Sequence, residues 1–177
     1  MKTSKTKEIT LMAMLAVLIA ISGMFKIPSP FVGTEFQLSA PIAIVIAATF
    51  GFKRYFCAGI IASIISLLLG THTLIHVLVA MIFRLVAGGI IGIFGTALVV
   101  VMVAGPLGTI AARYVLAAVM GVDVTVLLLA ALPGMIFTAI SSGIMYPIIK
   151  RNMKSTIFQE FVVDSEKKGG TRKYESV

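Results

Sequence analysis

Between positions 9 and 149 the chain carries seven charged side chains in 141 residues, whereas the last 28 positions carry eleven. A stretch so long and so poor in charge cannot close round one aqueous core, because nearly every helix in it is apolar on all faces. Over all 177 residues, 12% are charged and 59% hydrophobic, against about a quarter charged in an ordinary soluble domain. The fold class expected is an all-α membrane protein, with six transmembrane helices in a compact bundle. At about 20 residues per crossing, the length admits about six spans. Three regions follow: a basic cytoplasmic N-terminus at 1–8, a membrane domain at 9–149, and a polar cytoplasmic tail at 150–177 that reads as disordered.

Punctuation divides the membrane domain. A first helix over 9–25 ends at Lys26, Pro28 and Pro30, with no cleavage pattern after it, so it is read as retained rather than as a signal peptide. A loop over 27–38 holds Gly33 and Glu35. The second helix, 39–52, is about 21 Å long, short for a span, so it must stand upright, thin the bilayer or be sheltered by neighbours. Lys53 and Arg54 read as a basic turn before a third helix over 55–69. The fourth covers 74–91, with a turn over 92–95. The fifth covers 96–120, bent or interrupted near Gly105 and Pro106, and the sixth covers 124–149.

The net charge of +8 is confined to helix ends, which marks membrane topology and not a nucleic-acid surface. Lys2, Lys5, Lys7, Lys53, Arg54, Lys150, Arg151 and Lys154 fall on one side and Lys26 on the other, so both termini are expected in the cytoplasm. The lone Cys57 excludes an intrachain disulfide and a cysteine-clustered metal site.

Two features inside the spans bear on function. Ala13, Ala16 and Ala20 lie on a common side of the first helix, either as an internal seam or as a docking stripe for another subunit, since small residues let helices approach closely in lipid. Arg84 falls about halfway along the fourth helix and Arg113 nearer the outer end of the fifth. An arginine in lipid costs at least about 2.5 kcal/mol, so each must line a wet cavity for a polar or anionic solute or find an internal partner. That partner is a backbone carbonyl for Arg84, or Asp123 for Arg113. Glu35, Gln37, His72, His76, Tyr114 and Asp123 converge on the outer mouth. His72 and His76 make a poor metal set without further ligands and read as local hydrogen bonding, and Asp123 reads as a helix cap.

No H-E-x-x-H, G-x-S-x-G or phosphate-binding G-x-x-x-x-G-K-[ST] pattern occurs, so the expectation is no enzyme, no cofactor and no metal, with any energy for transport supplied by partners. A stand-alone solute facilitator and a structural membrane subunit are the competing classes.

The alanines of the first helix, the polar first loop Phe31-Val32-Gly33-Thr34-Glu35-Phe36-Gln37-Leu38, the stretches Gly51-Phe52-Lys53-Arg54-Tyr55 and Leu69-Gly70-Thr71-His72-Thr73, and the six-helix layout together resemble the substrate-binding S components of energy-coupling factor (ECF) transporters. The resemblance spans residues 7–151. It implies capture of a vitamin or related micronutrient from outside, with a separate transmembrane coupling subunit and two ATP-binding subunits as partners. It implies docking through Ala13, Ala16 and Ala20 and solute contact by Glu35, Gln37, His72, Arg84, Arg113 and Tyr114, with the loop around Gly33 as a lid. Two arginines against one loop carboxylate favour an anionic solute.

Overall fold

The computed structural model describes residues 5–28 and 35–163. Its axis is the short helix α2, Ser39–Phe50, on which the five other α-helices pack. These are α1, Lys5–Met24; α3, Phe52–Leu68; α4, Leu74–Phe94; α5, Leu98–Met120; and α6, Val124–Met153. Every residue of α2 from Ala43 to Phe50 is buried. A helix of alanine, isoleucine and valine with no charge on any face is stable only where apolar groups surround it. Of the three ways to accommodate a short second helix, shelter by neighbours is the one realised.

α1, α4, α5 and α6 are each long and apolar enough to cross a membrane, and their outward faces are aliphatic, as at Leu18, Ile93, Val99 and Ile136. The chain is a multi-pass helical membrane protein. Where a loop was expected after the first helix, two short strands pair antiparallel. β1, Lys26–Pro28, runs against β2, Glu35–Gln37, with Ile27 opposite Phe36, and β2 lies beside α6. The loop around Gly33, and with it the proposed lid, lies outside the described residues, as do residues 1–4 and 164–177.

Three boundaries differ from expectation. Lys53 and Arg54 are not a turn but the first turn of α3. Gly51 alone reverses the chain, at φ 86°, a conformation open to glycine, while its N–H still closes α2 on the Ala47 carbonyl. Likewise α4 continues through Gly92 to Phe94, and the turn is made by Gly95, Thr96 and Ala97 before α5 begins at Leu98. α5 is unbroken at Pro106.

The fourth difference is at the C-terminal end of α6. The segment after Lys150 was expected to be tail, yet α6 continues to Met153 and residues Gln159–Phe161 form a 3-10 turn. Phe161 is 1% exposed, a burial worth about 1.5–3 kcal/mol. Arg54 fastens it. Its Nε lies 3.2 Å from Glu8 Oε1, its Nη1 donates to the carbonyls of Phe50 and Phe161, and its guanidinium stands 4.8 Å from the Phe161 ring centre. The Val163 N–H donates to the Thr49 carbonyl at 2.8 Å. The apolar run Ile157, Phe158, Phe161, Val162 is what distinguishes this part of the tail from the polar residues beyond it.

α1 settles the alanine stripe. Ala16 and Ala20 are 1% and 6% exposed, on the side of α1 that packs against α2 and α3. They form an internal seam and are not open to another subunit, because their lack of bulk lets α1 close on its own neighbours. Ala13 is exposed. Ala16→Leu is expected to lower stability by about 1–3 kcal/mol through overpacking, and Ala13→Leu to leave it unchanged. Thermal unfolding of the two purified variants in detergent measures the difference.

Candidate solute-binding site

α3 and α4 build the first half of the site. Tyr55, Gly59 and Ser63 recur at four-residue spacing and so form one stripe along α3, opposite Arg84 of α4. Gly59 provides the notch, since a Cβ there would stand 2.6 Å from Arg84 Cδ and Nε. The guanidinium passes through it to donate from Nη1 to Ser63 Oγ at 2.6 Å, with Met81 Sδ at 3.5 Å. Arg84 is 8% exposed. The internal partner expected for it as a carbonyl is a serine hydroxyl, which is neutral. The Tyr55 hydroxyl is fully buried, within electrostatic reach of Arg84, and makes no hydrogen bond of good geometry.

α5 contributes Arg113, half-buried and without a hydrogen bond or ion pair among the described residues. The pairing with Asp123 is not formed. The Asp123 carboxylate instead accepts the Thr125 N–H at 2.8 Å and caps α6, an interaction that holds its pKa below the ordinary carboxylate value. Gly108 of α5 meets Ala87 and Phe83 of α4, which places Arg84 near the level of Gly108. Arg113, five residues on, therefore lies about 8 Å nearer the end of the bundle that carries the β1–β2 pair. Tyr114 is 56% exposed. Adjacent residues on a helix point about 100° apart, so it turns outward and does not join Arg113 inside the bundle.

The remaining candidates sit at the end that carries the β1–β2 pair. Glu35 and Gln37 occupy β2. His72 lies in the turn before α4, and a Cβ on Gly23 at the end of α1 would stand 3.7 Å from its Cε1. The rings of His72 and His76 are 5.7 Å apart, but His76 serves the backbone. Its N–H donates to Thr73 Oγ1 and its Nδ1 accepts the Thr73 N–H at 3.3 Å, a reciprocal cap for α4. No group of three or more metal-ligating side chains occurs among the described residues. Ser63, Gly59 and Tyr55 went unnoticed in the sequence, although their spacing is visible there, because nothing local says which arginine they face.

The chain is 51% identical over 150 residues to Protein BioX of Lysinibacillus sphaericus, an alignment covering 85% of this chain and 89% of that protein. The chain belongs to the BioX family. No family model and no solved structure matches it. Chemically, this BioX-family bundle holds two guanidinium groups that no carboxylate neutralises among the described residues. One is fixed by a neutral hydroxyl, and the other is free to bond. Such an arrangement attracts an anion.

Proposed function

We propose that the chain is the substrate-capture subunit of an ECF-type transporter, binding a small anionic micronutrient at the outer halves of α4, α5 and α6 beneath the β1–β2 hairpin. The observation that carries this reading is Arg113, half-buried, unpaired among the described residues and about 10 Å below the outer end of α5. A cation placed there costs stability unless something negative comes to it. Arg84, equally without a carboxylate, adds positive potential one to two turns deeper. Glu35, Gln37 and His72 stand at the entrance, and a carboxylate or phosphate on the solute would meet Arg113 in a bidentate fashion.

The helices cross the membrane six times, with α2 and α3 completed as spans by the neighbours that enclose them, and both termini lie in the cytoplasm with Lys53, Arg54, Lys150 and Arg151. Energy comes from a separate coupling subunit with two ATP-binding subunits, since no phosphate-binding loop is present. That subunit docks on the exposed side of α1 around Ala13, because Ala16 and Ala20 are occupied within the bundle.

The test is native mass spectrometry of the full chain purified from its host. A retained small molecule bearing a carboxylate or phosphate is the expected result. A chain that retains no such molecule, and that gives no thermal shift with a panel of carboxylate and phosphate vitamins, overturns the proposal.

A further inference from the structure

Between α1 and α3, at the end of the bundle opposite the hairpin, an open groove of about 500 Å³ is walled by Ile9, Met12, Cys57 and Ile61, with Lys53 and Arg54 at its rim. Its charge is not balanced. Arg54 is neutralised by Glu8 at 3.2 Å, while Lys53 is exposed and no carboxylate engages it among the described residues. The rim therefore carries one net positive charge above an aliphatic trough. A free anion would use the rim and leave the trough empty, and a neutral alkyl chain would do the reverse. A molecule that fills both has a hydrocarbon chain joined to a negative head.

We propose that this groove is a site for an anionic glycerophospholipid, one acyl chain lying between α1 and α3 and the phosphate at the Lys53 ammonium. A juxtamembrane lysine favours an anionic over a zwitterionic headgroup by about fivefold, and the trough adds chain burial that both lipids share. The site is separate from that of the proposed solute, which lies toward the other end of the bundle, but Ala13 lines the groove, so lipid and the proposed coupling subunit compete for that part of α1.

Cys57 is the one cysteine of the chain and is exposed in the groove wall, so it reports occupancy directly. The experiment follows maleimide labelling of Cys57 in the full chain in neutral detergent, with phosphatidylglycerol or phosphatidylcholine of matched acyl chains at equal mole fraction. Phosphatidylglycerol is expected to slow labelling about fivefold more than phosphatidylcholine. Lys53→Gln, at an exposed position, should bring the two lipids to near parity, and Ala13→Phe, which fills the trough, should abolish lipid protection by either. Equal slowing by both lipids in the unaltered chain, an undiminished preference in Lys53→Gln, or the same protection by inorganic phosphate without lipid each overturns the proposal. So does protection by a co-purifying membrane protein with no response to lipid.

Discussion

Arg113→Gln is expected to weaken binding of an anionic solute by about 30-fold or more, the equivalent of about 2 kcal/mol, because it removes one partner of a charge pair formed in a desolvated setting. The same change should not destabilise the empty protein. Arg113 makes no hydrogen bond or ion pair among the described residues, so its removal takes away a half-buried charge and no native contact. Unfolding temperature unchanged or raised, together with lost binding by calorimetry, is the expected pair of results. Arg113→Lys keeps the charge but not the planar fork and should fall between the two. A lowered unfolding temperature with binding intact would mean that Arg113 is structural and that the solute sits elsewhere.

The second large effect concerns the seam between α4 and α5. A Cβ on Gly108 would stand 2.8 Å from the Ala87 Cβ and 3.1 Å from the Phe83 carbonyl oxygen. Neither can swing aside, since one is a methyl group on the backbone and the other is backbone. Gly108→Ala should therefore force the helices apart at a cost of about 1–3 kcal/mol, and Gly108→Leu should prevent the native seam from forming. Gly134 of α6 is the control. Nothing lies within 4 Å of a Cβ there, so Gly134→Ala should be neutral or stabilising by up to about 1 kcal/mol through helix propensity. Thermal unfolding monitored by size-exclusion chromatography in detergent separates the two outcomes. Loss of the Gly108 seam should also reduce solute binding, since Arg84 lies near its level and Arg113 a turn and a half above it.

How much of this was legible beforehand varies by residue. Six helices, and the positions of their ends to within a few residues, follow from apolar runs punctuated by glycine, proline and charge. The cap at Asp123 was also readable, as it depends on a neighbour two residues away. Misjudged were the turn at Gly51, where one glycine with positive φ did what a run of residues was expected to do, and the turn after α4, which begins at Gly95 rather than Gly92. The segment 150–163 was misjudged because polar residues outweighed Phe158 and Phe161 in composition, although a single buried phenylalanine is enough to anchor a segment.

The candidate site divides along the same line. That Arg84 and Arg113 must be accommodated somewhere follows from their place in apolar helices, since lipid tolerates no bare cation whatever the fold. That Arg84 is held by Ser63 through the Gly59 notch, while Arg113 is left unpaired among the described residues, depends on which helices are neighbours, and helix periodicity is silent on that. The alanine stripe of α1 makes the same point. Ala16 and Ala20 mark a surface fit for close approach, and a helix from the same chain or from another would suit it equally. Packing against α2 and α3 chose the first, leaving Ala13 outside. Membrane residence was a property of each segment taken alone, and so could be read from residue order. Partnership between segments is a property of their contacts, and only the assembled bundle decides it.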